Sequence, residues 1–178
     1  MKLGSAAAAA AAAALASACA LVPDSIAPPA GPSAVAVPRG HHEAMSFKAD
    51  GTLNFECRPV PGMAGAYDWV VDAPDAVLRH WSGFPVGRLY AGPTWRYRDG
   101  STVTGKLIGT SPAGAGRLPE QLWQALPKAT EGEFADVTYI RRADASGGVS
   151  SSAPCTARSV GQGHKTPYQA QYIFYRKR

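Results

Sequence analysis

Four histidines, three cysteines and a scatter of carboxylates are the residues of this 178-residue chain that could carry acid–base, nucleophilic or metal chemistry. Their spacing argues against most of it. His41, His42 and Glu43 could supply metal ligands, but adjacent residues on an extended chain point to opposite sides and do not close on one ion. His80 and His164 stand alone, and a single imidazole in a strand-rich domain reads as hydrogen-bonded or exposed unless a partner is brought to it. Asp68, Asp72 and Asp75 flank Pro74, where a turn or capping role is expected before calcium or paired-carboxylate catalysis. Ser150, Ser151 and Ser152 lack the glycine flanks of a nucleophile elbow. No catalytic residue, metal site or cofactor is expected from these groups.

Cysteine placement says more. Cys57 and Cys155 have no Cys or His partner at zinc spacing, so zinc is not expected. If the chain is exported, they form an even pair in an oxidising compartment, and a disulfide follows. Closing a loop of nearly a hundred residues would destabilise the unfolded chain by roughly 4 to 5 kcal/mol in the chain-entropy account. The alternative is two unpaired buried thiols.

Export is written in the first twenty residues, MKLGSAAAAAAAAALASACA: one Lys, an uncharged Ala-rich run, then small residues. The run is too short and too alanine-rich to be a membrane span. Leu15-Ala16-Ser17-Ala18-Cys19 resembles a lipobox, which makes Cys19 a candidate for lipidation. Ala18-Cys19-Ala20 equally fits ordinary signal cleavage. Both place the protein outside the cytoplasm, either as a periplasmic or membrane-anchored lipoprotein or as a secreted chain.

Residues 21–43 begin with a stretch holding five Pro among Ala, Ser and Gly, and read as an extended tether without a core of its own. The remainder, 44–178, suits one domain, and 46% hydrophobic with 17% charged residues is enough for a real core. The net charge of +5 is modest, and the basic residues are scattered apart from Arg141-Arg142 and Arg176-Lys177-Arg178. No dense basic stripe or nucleic-acid module is present, so no nucleic-acid partner is expected.

The elements that must position any site are short strands. LNFEC (53–57), YDWVV (67–71), GRLYA (87–91), TWRYR (94–98), TVTGKLIG (102–109), FADVTYIR (134–141) and YQAQYIFY (168–175) each carry β-branched and aromatic residues between Gly and Pro punctuation. PEQLWQAL (119–126) competes as a two-turn helix, since Pro119 could open one. The fold class is all-β, an antiparallel sandwich or barrel of about seven or more short strands with little helix.

One hairpin can be drawn in detail. A two-residue turn at Asp99-Gly100 would set Tyr97 against Thr102 and Trp95 against Thr104, mixing aromatic and polar side chains on one face. A three-residue loop of Arg98, Asp99 and Gly100 pairs Tyr97 with Ser101, Arg96 with Thr102 and Trp95 with Val103. It also puts Gly100 where a left-handed residue is needed. One face then holds Trp95, Tyr97, Val103, Gly105 and Leu107, and the other Arg96, Thr102, Thr104 and Lys106.

The order of motifs resembles domain-of-unknown-function family 3455, a group of secreted bacterial and fungal proteins. The residues that carry the likeness span about 50–175. They include Cys57, Trp69, Ala73-Pro74-Asp75-Ala76, Tyr90-Ala91-Gly92-Pro93-Thr94-Trp95, Asp99-Gly100-Ser101, Gly105-Lys106, Trp123, Val137-Thr138-Tyr139-Ile140-Arg141-Arg142, Cys155 and Tyr172. Gln124-Ala125 departs from the Leu-rich run typical of the family after that Trp. The resemblance implies no activity. Some fungal relatives carry a malate dehydrogenase label, but such an enzyme needs a glycine-rich turn between strand and helix. GAGRLP (114–119) has Pro119 at the third glycine, and in GQGHKT (161–166) His164 interrupts the phosphate-loop order.

Aromatic residues are the remaining functional lead, because each ring joins an apolar face to a polar edge or tip. Trp81, Tyr90, Trp95 and Tyr97 are the candidate ligand-binding residues, lining a groove for a carbohydrate or other small molecule. The competing reading makes most of them core. The expectation is thus an exported or lipid-anchored, non-catalytic binding module, with the membrane as partner through a Cys19 anchor. A structural or interaction domain of the envelope is the alternative, and an enzyme is the least favoured.

Overall fold

The computed structural model describes residues 32–178 apart from 116, 129 and 151. Eight antiparallel strands follow one another around a closed barrel: β1 (His41–Pro59), β2 (Tyr67–Arg79), β3 (Pro85–Tyr90), β4 (Thr94–Tyr97), β5 (Thr102–Ser111), β6 (Glu120–Pro127), β7 (Tyr139–Gly147) and β8 (Gly163–Lys177). Pairing of β1 with β8, from His41 opposite Lys177 to Glu56 opposite Gly163, closes the ring. Between sandwich and barrel, the chain takes the barrel. Closure removes both sheet edges. The helical content among the described residues is two 3-10 turns, Pro32–Val35 and Ala157–Ser159.

Alternation along the strands decides which side is the core. On β1, Phe47, Ala49, Leu53, Phe55 and Cys57 are buried, while Lys48 and Asp50 between them are exposed. On β8, Tyr168, Ala170, Tyr172 and Phe174 point inward. Apolar residues inside and polar residues outside are the reverse of a lipid-facing barrel. At the centre Trp95 is fully buried, with its ring 5.4 Å from Trp123, 5.6 Å from Tyr172 and 6.3 Å from Phe174, mostly edge to face.

The β4–β5 hairpin has the register expected of it. Trp95 lies opposite Val103 and Arg96 opposite Thr102, Tyr97 N–H donates to Ser101 C=O at 2.9 Å, and Gly100 has φ of +92°. Residues 119–126 are not helical. They form β6, with Trp123 paired to Leu107 on one side and Ile140 on the other. Two flanking strands satisfy that backbone, and a two-turn helix could not compete. Ala125 is buried and Gln124 exposed, so the polar member of the departure falls on the outward face.

In the expected strand 134–141, only the part from Tyr139 pairs. Residues 131–138 instead cross the end of the barrel, with Phe134 and Val137 fully buried. The strands expected at 53–57 and 168–175 are parts of much longer ones. Upstream of them, Val35 is buried and Ala34 lies so close on Gly109 that a Cβ there would have no room. The disulfide is formed between Cys57 and Cys155, with 5.5 Å between Cα atoms. It ties the end of β1 to the β7–β8 connection.

Candidate functional site

In an up-and-down barrel successive turns alternate between the two ends, and here the ends are unlike. At the β4–β5 end the 131–138 segment acts as a plug. Phe134 stacks on Phe174 at 4.7 Å and leans on Tyr97 at 5.6 Å, while Phe47 stacks on Tyr97 at 5.8 Å. The β4–β5 turn holds the plug by polar contacts. The Asp99 carboxylate accepts the Ser101 N–H at 2.8 Å, the Ser101 hydroxyl at 2.6 Å and the Glu133 N–H at 2.7 Å. Ser101 Oγ accepts the Phe134 N–H at 3.1 Å. Burial pushes the Asp99 carboxyl up, but the hydrogen bonds from Ser101 and Glu133 outweigh it and hold the group below its ordinary range.

The opposite end is a cup. It is rimmed by Val71 and Pro74 of β2, the Gly92-Pro93 turn between β3 and β4, and Leu118-Pro119 before β6; its volume is about 440 Å³. Leu53, Leu89 and Leu107 form its walls, and Trp123 and Tyr172 its floor. Gly105 makes the floor possible, because a Cβ there would come within 2.9 Å of the Trp123 Cβ and push that ring away. Small-ligand sites have this size, of about 300–1,000 Å³, and this apolar lining with a few polar groups. An eight-stranded barrel has an interior that side chains can fill or that can hold one small ligand, and here side chains fill the middle and leave space only toward the open end.

Asp72, Gln121 and Arg142 are the polar side chains that line the cup, and Arg142 is the cation among them. Alternation from Ile140 turns it inward, it is 7% exposed, and its guanidinium carbon lies 5.8 Å from the centre of the Trp123 ring. Nη2 donates to the Pro119 carbonyl at 2.9 Å; Nε has no partner, and no carboxylate of the described residues pairs with the charge. Asp72, also at the rim, is engaged by Arg58 at 2.5 Å. Nearby Tyr168 is buried, and its hydroxyl has no hydrogen-bond partner among the described residues. Burial pushes its phenol far above the ordinary range, Tyr172 adds to the effect, and Arg142 works against it.

The four aromatic residues singled out from the sequence do not share a surface. Trp95 is the centre of the core, and Tyr97 packs under the plug. Tyr90 ends β3 on its outward face. Trp81 is 51% exposed at the β2–β3 turn, with the Lys48 ammonium 4.8 Å from its ring centre. The aromatic floor of the cup belongs instead to Trp123 and Tyr172, and its charge to Arg142. The signal for Arg142 was present: the second Arg of the pair, two residues after Ile140, falls on the inward side of an alternating strand.

His80, His164 and the three aspartates of the β2 region have structural partners. His80 Nδ1 lies 2.8 Å from Ser82 Oγ, and His164 stacks on Phe55 at 4.9 Å and meets Trp69 edge-on at 4.5 Å. Asp68 accepts the Trp69 N–H at 2.8 Å, a local role as expected. Asp72 and Asp75, expected in a turn, lie on β2 and pair across strands with Arg58 and Arg88. Among the described residues no three His, Cys, Asp or Glu gather as a metal site. A larger depression of about 870 Å³, more open to water, lies at the plugged end, where His41, His42, Gln124, Asp136 and Arg176 are interleaved with apolar residues such as Ala125, Pro127 and Val137. Cys19 falls outside the described residues.

A family model described as protein of unknown function (DUF3455) matches residues 80–176, more than half of the chain. The matched span takes in Trp123, Arg142 and Tyr172 and leaves Cys57 and Trp69 outside it. No curated protein and no solved structure matches.

Proposed function

The chain belongs to the DUF3455 family, and from the geometry of its barrel we propose that it is an exported binding module that takes one small apolar molecule into the open end. The asymmetry of the two ends carries this reading. A barrel needed only as a scaffold gains stability by filling both ends, as Phe134 and Val137 do at one of them. Leaving the other as an apolar cup of about 440 Å³ forgoes that packing. A carbohydrate would need many polar groups along the walls, whereas this lining is mostly Leu, Pro, Val and aromatic, which favours an apolar ligand.

The Cys57–Cys155 disulfide fits an oxidising compartment, and the Ala-rich start supplies a route to it. Lipidation of Cys19 would then anchor the barrel to a membrane through the Pro-rich stretch that follows. A structural or interaction role in the envelope draws its own support from Trp81 and Phe84, both exposed at the β2–β3 turn.

The test is titration of the purified full chain with N-phenyl-1-naphthylamine, a neutral apolar fluorophore. One saturable site per chain is expected, abolished by Leu107→Trp, which fills the cup, and kept in Trp81→Ala. Binding that survives Leu107→Trp, or no binding at all, would remove the cup as the site.

A further inference from the structure

We propose that the cup selects an apolar molecule bearing a carboxylate, a single-tailed fatty-acid-like anion, with Arg142 as the residue that reads its head group. The inference rests on the open end being a ligand site and adds the chemistry of the ligand. A buried guanidinium ordinarily comes with a carboxylate partner, since an unpaired buried cation is costly. Arg142 is 7% exposed, spends one Nη2 donor on the Pro119 carbonyl and leaves Nε unpartnered. The chain has arginine–carboxylate pairs elsewhere, at Arg58, Arg88, Arg141 and Arg176, and all of those are on the outer surface. The one that faces the cup has none among the described residues. Asp72 at the rim does not fill the role, because Arg58 holds its carboxylate.

A planar guanidinium matches a carboxylate in two parallel hydrogen bonds, and Trp123 beside it keeps the fork from being fully hydrated. The walls, Leu53, Leu89 and Leu107, suit a hydrocarbon tail, and Gln121 is the one neutral amide beside them among the described residues. Head and tail are therefore both specified: an anion at Arg142 and an apolar chain running toward the Gly92-Pro93 rim.

The experiment displaces bound N-phenyl-1-naphthylamine from the full chain with dodecanoate or with dodecanol, which share a tail and differ in charge. The wild type should bind dodecanoate at least about tenfold more tightly than dodecanol. Arg142→Met should erase that preference while leaving the fluorophore and dodecanol bound, and Arg142→Lys should restore part of it. Arg142→Met gives up the hydrogen bond to the Pro119 carbonyl, and retained fluorophore binding verifies for each variant that the barrel still folds. Equal displacement by the two ligands in the wild type, or a preference unchanged in Arg142→Met, overturns the inference and leaves the cup standing. Failure of the fluorophore itself to bind removes both.

Discussion

Asp99 and Glu133 are 34 residues apart, yet the Glu133 backbone N–H donates to Asp99 Oδ2 at 2.7 Å, so the turn that joins β4 to β5 also holds the segment that closes the barrel. The same carboxylate fixes Ser101, whose hydroxyl in turn accepts the N–H of buried Phe134. Turn and plug form one unit.

Asp99→Asn should loosen that unit. The group is exposed to water on one side, so the loss is expected to be about 1 kcal/mol at neutral pH. Its pH dependence has a defined sign. Because the folded carboxyl is held below its ordinary value, its contribution is complete above that value and disappears as pH falls through the folded one. Urea denaturation of both forms should show the gap between them shrinking in acid below the ordinary Asp range. A gap that widens there would contradict the hydrogen bonding described.

Gly100, at φ of +92°, tests the turn from the backbone side. Gly100→Val places a β-branched residue in the left-handed region and should destabilise the barrel by about 1 to 3 kcal/mol. Arg96→Ala, exposed on the outward face of the same hairpin, should change stability by no more than about 0.5 kcal/mol. Thermal unfolding of the two variants side by side is sufficient.

The disulfide predicts non-additive losses. Cys57→Ser and Cys155→Ser should each cost about 2 to 5 kcal/mol, and the double variant no more than either alone. Mass spectrometry of the unreduced chain should find the two cysteine peptides joined; free thiols in the purified protein would exclude the bond.

Lipid-analogue labelling of cells should mark the wild type and not Cys19→Ser. Equal labelling of neither would leave ordinary secretion as the route.

The β4–β5 hairpin was legible because its information is local: Trp95, Tyr97 and Val103 alternate, and one glycine sits at the single position that needs it. What depends on distant pairing was not. Whether the strands made a sandwich or a barrel turns on β1 meeting β8, as where Phe47 lies opposite Tyr172. That contact spans most of the chain, and no local pattern encodes it. Residues 134–138 carry the composition of a strand because Phe134 and Val137 are buried, and composition reports burial, not ladder pairing. The helix-forming residues of 119–126 were overruled by neighbours on both sides. The aromatic groove was sought among the most visible rings, yet burial chose Trp95 for the core. The cup is assembled from β1, β2, β3, β5, β6, β7 and β8, and its cation is one Arg of a pair that reads as surface.

The most direct measurement of the central claim is where a ligand sits. Crystals of the protein soaked with 12-bromododecanoate should give an anomalous bromine peak in the cup on the side of the Gly92-Pro93 turn, away from Pro119, with the carboxylate at Arg142. A bromine peak outside the barrel, for example against Trp81 and Phe84, with the cup unchanged, would contradict the account.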